Sequence, residues 1–301
     1  MAGPPENDPR SIDPIEHAHL RDAAGFSPPV HRYAPSPALA DVVRRYWMPV
    51  WSLPPGAVSV QRVLQYPVCL VVVADSYARL VGVSTGLSVK ELSGSGWALG
   101  ALLQPAAGEL LLGRPVSQLT DRFVDLAEAP GIDGAGLTER VRAAVGAAPE
   151  EPARRRAAVG CLEQALRALS PVDDEGRLVN AVVEYVEGSP EVRRVSQVCA
   201  KFDLGERTLQ RLLARRLGLH PKWLIQRRRL QEAAARLRAD AGGTDLARVA
   251  AELGYADQAH LTRDFRTVTG LTPGDYAAEP ARRAVGRSGP GGVGRRRPGT
   301  S

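Results

Sequence analysis

Between Val192 and Ala278 the chain repeats itself. Setting Leu209 on Leu261 also brings Arg211 onto Arg263, Gly218 onto Gly270, Leu219 onto Leu271 and Pro221 onto Pro273, all at an offset of 52 residues. A constant offset means that one supersecondary unit has been used twice. Each copy reads as a supporting helix, a turn and a second helix. The first ends Glu-Arg-Thr-Leu-Gln-Arg-Leu-Leu (206–213) and the second Asp-Gln-Ala-His-Leu-Thr-Arg-Asp-Phe (257–265). The duplication predicts an all-helical module that presents two related helices.

In the first copy Val195, Val198 and Cys199 form the apolar face of the supporting helix, and Asp203 stands at the turn. Leu209, Leu212, Leu213 and Leu217 bury one side of the second helix, leaving Arg207, Gln210, Arg211 and Arg215 on the other. In the second copy Leu246, Val249 and Leu253 support, Gly254 supplies a left-handed turn residue and Asp257 caps the next helix. Leu261, Phe265 and Val268 face inward, and Gln258, Ala259, Thr262, Arg263 and Arg266 face outward. A helix that enters the major groove needs this division. Apolar residues hold it on its domain while long polar side chains reach base edges, Arg pairing with guanine and Gln with adenine. An isolated Arg/Gln face is as often simply solvated; its occurrence twice, in register, favours a DNA reader.

Lys222–Ala239 joins the copies, with Trp223, Leu230, Ala234 and Leu237 as its buried stripe. Eighteen helical residues span about 27 Å, the right order to hold two readers about one duplex turn, roughly 34 Å, apart. Arg227, Arg228 and Arg229 on this linker read as ion partners or phosphate contacts rather than base readers.

Charge supports a polyanion at one end only. Residues 175–301 hold 23 Lys and Arg against 14 Asp and Glu, a net +9, while residues 1–174 hold 16 against 19, a net −3. The three cysteines, Cys69, Cys161 and Cys199, have no CxxC or Cys/His spacing, which argues against a disulfide framework or a zinc site and suits a reducing cytoplasm. The Pro- and charge-rich start does not read as a signal peptide. The longest apolar run, Val68–Ala74, is seven residues, against about 20 for a membrane-spanning helix.

At 301 residues the chain has room for a further domain. Residues 1–30 read as a flexible arm. Ser36–Tyr46 has a helix pattern, with Pro37 after a Ser cap and Leu39, Val42, Val43 and Tyr46 on one face. Strands follow at Val58–Val63, Val68–Ala74, Arg79–Val83, Leu87–Leu92 and Trp97–Leu103, as in a small barrel or sandwich. Ala106–Leu112 and Val116–Leu119 read as short helices, and Gly131–Glu151 as low in signal. Val159, Leu162, Leu166 and Leu169 mark a helix over Arg154–Leu169 that packs on its own domain or serves a dimer contact. Ser170–Asp174 breaks the pattern and marks a domain boundary. The residues from Pro280 to Ser301 read as a disordered basic tail.

Residues 175–278 resemble the DNA-binding domain of the AraC/XylS family of bacterial transcription regulators. The segment Leu253-Gly-Tyr-Ala-Asp-Gln-Ala-His-Leu-Thr-Arg-Asp-Phe-Arg-Thr-Val-Thr-Gly-Leu-Thr-Pro-Gly-Asp-Tyr276 carries Gly254, Phe265, Gly270, Pro273 and Tyr276 in the family's order. The resemblance covers about a third of the chain. It implies seven helices and two base-reading helices, with Arg207, Gln210 and Arg211, then Gln258, Thr262 and Arg263, as base readers, and a phosphate contact at His260. Asp203 departs from the family's usual turn Gly, and Gly205 from a Ser cap. Residues 31–170 resemble, more weakly, the cupin-like sensor domains that precede this module, through Tyr33-Ala-Pro-Ser-Pro-Ala-Leu, Arg45-Tyr-Trp and Leu102-Leu-Gln-Pro-Ala-Ala-Gly-Glu-Leu-Leu-Leu-Gly.

The expected architecture is therefore α+β in two domains: a small cupin-like β-barrel with flanking helices, then an all-α domain of two helix-turn-helix units on a linker helix. The expected function is sequence-specific transcription regulation, with effector sensing, dimerisation or both in the N-terminal domain. The implied partners are double-stranded DNA, a small-molecule effector, a second copy of the chain and RNA polymerase. No cofactor and no metal are expected, because the N-terminal half has only His17, His19 and His31, in or near the arm. Trp47, Trp51 and Trp97 read as core rather than pocket lining. Two alternatives remain: an N-terminal domain that binds a protein partner, and an enzyme fused to the same DNA-binding module. The enzyme reading is disfavoured, since Cys69 lies in an apolar run that would raise its thiol pKa, and the chain has no P-loop, GxSxG or HExxH.

Overall fold

The computed structural model describes residues 28–63, 66–239 and 245–277, together with the backbone of 19–20. Most of the expected arm, and the tail from Pro280, lie outside the described residues.

The N-terminal part is antiparallel β. A six-stranded sheet has the order β2 (Val30–Tyr33), β3 (Val43–Ser52), β8 (Ser95–Leu103), β5 (Leu70–Ala74), β6 (Ala78–Val81), β9 (Phe123–Asp125). A three-stranded sheet has the order β1 (His19–Leu20), β4 (Val58–Val63), β7 (Ser88–Ser93). β3 and β8 pair from Val43–Leu103 to Ser52–Ser95 with one irregularity between Val43 and Arg45. β5 is buried along its whole length, as its β-branched composition requires. The architecture is α+β with a sheet-rich N-terminal region, but among the described residues no ladder joins the two sheets, so the expected barrel is open. Edge strands β2 and β9 have four and three residues, short ladders with which to close a barrel.

Two expectations change. Ser36–Tyr46 is not a helix: a 3₁₀ turn at Pro37–Leu39 leads through turn residues 40–42 into β3. Tyr46, Met48 and Val50 are buried at alternate positions, and ladder pairing of the Val-rich segment outweighs its helical spacing. Conversely, Gly131–Glu151 contains a helix, α2 (Gly134–Val145), which follows α1 (Ala107–Leu112). Asp133 caps α2 by accepting from the Gly136 N–H, and Leu137, Val141 and Val145 bury one stripe. α3 (Pro152–Leu166) packs inward through Val159, Leu162 and Leu166. Its buried Arg155 donates to the Tyr33 hydroxyl at 3.1 Å, fastening α3 to β2.

The helical part comprises α4 (Asp174–Gly188), α5 (Val195–Phe202), α6 (Glu206–Arg216), α7 (Pro221–Ala239), α8 (Leu246–Glu252), α9 (Gln258–Thr269) and a final turn at 273–277. Apolar packing runs on past Ser170–Asp174. One buried cluster extends from Tyr33 through the six-stranded sheet and helices α1–α4 to Val198, Leu209, Leu213, Leu224 and Ile225. A second gathers Leu230, Ala234, Leu237, Val249, Leu261, Phe265 and Tyr276. The change from one cluster to the other falls inside α7. Polar contacts reinforce the first: Asp41 accepts from the Ser170 hydroxyl and the Val172 N–H at 2.9 and 2.8 Å. Asn180 of α4 donates to the Asp41 carbonyl and accepts from the Ala106 N–H, both at 2.9 Å.

Candidate nucleic-acid interface

The two helix-turn-helix units form as the repeat requires. In the first, Val198 is buried and Val195 and Cys199 are partly so. Asp203 ends α5 with φ 51° and ψ 47°, so the departure from Gly is accommodated by a residue type that tolerates the left-handed region. Gly205 caps α6 without a side chain, and Leu209, Leu212, Leu213 and Leu217 are buried beneath it. In the second unit Asp245 caps α8 by accepting from the Ala247 and Arg248 N–H groups. Gly254 makes the turn at φ 74°. Asp257 caps α9 by accepting from the His260 N–H at 2.7 Å. Leu261, Phe265 and Val268 point into the second apolar cluster, where Phe265 and Tyr276 meet edge to face at 5.3 Å. The repeated glycines Gly218 and Gly270 share φ values of 76° and 75°.

On α6, Arg207, Gln210 and Arg211 are exposed. On α9, Gln258 and Arg263 are exposed and Thr262 is half-buried beside them. Gln210 donates to Glu206 at 3.1 Å, one turn back on its own helix. Among the described residues Arg207, Arg211, Arg263 and Arg266 carry no ion pair, so four guanidinium groups stand toward solvent on these two helices. Each helix thus offers bidentate donors beside neutral amide or hydroxyl groups, the chemistry that matches base edges.

Other cations are committed elsewhere. Arg215, which spacing puts on the outward side of α6, is half-buried and paired with Glu175 and with Glu109, the latter at 3.6 Å. Arg216 is buried and makes ion pairs with Glu109 at 2.8 Å and Asp173 at 2.6 Å. Burial works against the Asp173 carboxylate, but hydrogen bonds from Arg216 and the Gly176 N–H hold its pKa below the usual range. Thr120 donates to the Gly218 carbonyl at 2.9 Å. The C-terminal end of α6 is therefore seated on the N-terminal region by charge, a contact that no local spacing rule reveals, because Glu109 lies 107 residues from Arg216.

The linker arginines are structural. Arg228 donates to the carbonyls of Pro190 and Val192 at 3.1 and 3.0 Å and pairs with Glu232. Arg229 lies over the Tyr255 ring at 3.8 Å. Arg227 is buried over Trp223 at 5.4 Å, and burial pulls its pKa down to about 9. His260 meets Tyr255 edge to face, with ring centres 5.2 Å apart, and lies 3.7 Å from the Asp264 carboxylate. In the N-terminal region Trp97 is buried, while Trp47 and Trp51 pack partly buried against Gly100 and Gly96, where a side chain would collide with their rings.

Burial pushes the Cys69 thiol up to about 12, the opposite of an activated nucleophile. Among the described residues no cluster of three or more His, Cys, Asp or Glu is placed to hold a metal, and no helix is long and apolar enough to cross a membrane.

Two family models match the chain: a helix-turn-helix domain over residues 198–279, and a domain of unknown function, DUF6597, over residues 31–125. Among solved structures, ToxT from Vibrio cholerae is similar to this chain at 11% identity and a TM-score of 0.38, covering 87% of this chain and 98% of ToxT. ToxT with a bound unsaturated fatty acid is similar at 10% identity and a TM-score of 0.36, covering 87% and 93%. No curated protein matches the chain.

Proposed function

We propose that the chain is a DNA-binding transcription regulator of the AraC/XylS type, and that α6 and α9 read two different half-sites in successive major grooves. The observation that carries this reading is the pair of exposed faces without internal ion pairs, Arg207, Gln210 and Arg211 on one helix and Gln258, Thr262 and Arg263 on the other. α7 supports it: 19 residues span about 28 Å, near the length of one duplex turn. The first face is rich in Arg and the second shorter and more neutral, so the preferred site is asymmetric and one copy of the chain suffices to read it.

Residues 31–170 are proposed as the regulatory domain, sensing a small molecule, pairing with a second copy, or both, within a cytoplasm where RNA polymerase is the downstream partner. The support is mechanical. The same region that matches a separate domain family grips the end of the first reading helix through Glu109. A cleft of about 420 Å³ on this domain is lined by Leu87, Asp121, Arg122 and Phe123, and Leu87 also touches the apolar cluster of the second unit. A ligand there would lie beside the second unit. No catalytic role is assigned.

The test is selection of bound sequences from a randomised duplex by the full chain. Expected is one asymmetric consensus with two blocks about one turn apart, and affinity that falls steeply with salt as phosphate counterions are released. Binding without any sequence preference would overturn the reading.

A further inference from the structure

A bipartite reader discriminates spacing only as well as its two halves are held in phase. One base pair of extra spacer turns the second half-site by roughly 35° around the duplex. The apolar packing does not supply that phase lock by itself. The first cluster ends on α7 at Ile225 and the second begins at Leu230. The turn between them, Gln226–Arg229, is held by polar and cation–π contacts that alternate between the two units. Gln226 donates to Asp264 of α9 at 2.8 Å and Arg229 lies over Tyr255, while Arg228 holds the carbonyls of Pro190 and Val192 in the loop before α5.

That same loop reaches across to the second unit. Arg193 donates to the carbonyl of Glu252, the last residue of α8, at 2.9 Å. Its side chain lies along Gly254, where a Cβ would stand 2.9 Å from Cδ and 3.0 Å from Nε. The base of Arg193 is fixed in turn, because Gln197 accepts from both the Arg193 and Arg194 N–H groups at 2.9 Å. Glu252 is fixed from the other side, its carboxylate paired with Arg236 of α7. Arg193 is thus a cross-brace that closes a triangle between the first unit, the second unit and α7.

We propose that Arg193 is a positioning residue that sets the half-site spacing this protein accepts. The proposal rests on the two-half-site reading above. The brace touches neither reading face, so removing it frees the relative rotation of the two units while leaving each face intact. Exposure of Arg193 on the surface makes its loss compatible with folding.

The test uses the full chain and the duplex selected from random sequence, remade with one base pair added to or removed from the spacer. Wild type is expected to lose about tenfold or more in affinity on either altered spacer, the loss of several base contacts. Arg193→Ala is expected to bind the original duplex within about threefold of wild type and to lose only about threefold on the altered ones, with Arg193→Lys restoring part of the discrimination. The proposal fails if Arg193→Ala keeps the wild-type spacing penalty. It also fails if that variant weakens all three duplexes alike with a smaller salt slope, since Arg193 would then be a phosphate contact. If wild type itself ignores spacing, the two-half-site reading falls instead.

Discussion

The guanidinium of Arg216 lies 2.8 Å from the carboxylate of Glu109 and 2.6 Å from that of Asp173. The pair joins the last turn of α6 to α1 of the sheet domain, and Arg216 is buried there. Glu109→Ala leaves a buried cation with fewer partners. We expect a loss of about 1–3 kcal/mol, below that for an isolated buried pair because Asp173 and Glu175 remain. Thermal unfolding checks it, with a fall of roughly 2–4 °C per kcal/mol. An unchanged midpoint would mean that the contact contributes nothing to stability.

The same cluster gives a pH dependence. Asp173 has a folded pKa held below its usual value by Arg216 and the Gly176 N–H, so its contribution is present above the unfolded pKa and is lost as pH falls through the folded one. Asp173→Asn keeps a residue able to cap α4 and removes only the charge. The variant should melt below wild type at neutral pH, and the gap should close as pH drops below about 4. A gap that persists in acid would assign the effect to the cap instead.

Arg211 and Arg263 occupy matched places on α6 and α9, both exposed. Each replacement by Ala should cost about 1–3 kcal/mol and relax base preference only at its own half of the site. Competition binding with duplexes altered in one half measures this. Equal losses on every sequence would make both residues phosphate anchors.

Cys69 is buried, with its thiol pushed up to about 12 by its surroundings, whereas Cys161 and Cys199 are partly exposed. A thiol reagent at pH 8 should leave Cys69 unmodified in the folded protein and label it only after denaturation. Peptide mapping of the labelled chain reads this directly, and early modification of Cys69 would contradict the burial.

Much of the helical half was legible because its signals are local. Asp257 and Gly254 each act within one turn of chain, so cap and left-handed turn follow from residue type alone. The leucines of α6 and the Leu261–Phe265–Val268 stripe of α9 have helical spacing that admits one buried face, and with that face assigned most outward residues follow, Arg215 being the exception. The sheet half was less legible. Val42–Tyr46 has both a helical spacing and β-branched residues, and the choice was made by β8, more than fifty residues away, which offers a ladder. α2 was missed although Asp133, Leu137, Val141 and Val145 carry its cap and stripe, because surrounding Gly and Ala diluted the pattern.

The repeat at 52 residues, read from the chain alone, determined that there are two units and which face of each is left for a partner. Tertiary structure decided what those units are attached to. Arg215 and Arg193 look like any other exposed helix or loop arginine in the sequence, yet one is withdrawn into carboxylates from α1 and α4 and the other spans to the carbonyl of Glu252. Caps, turns and stripes depend on neighbours a few residues apart, which the sequence states. Ion pairs and braces depend on which distant groups packing brings within about 3 Å, and that distance exists only after the chain has folded.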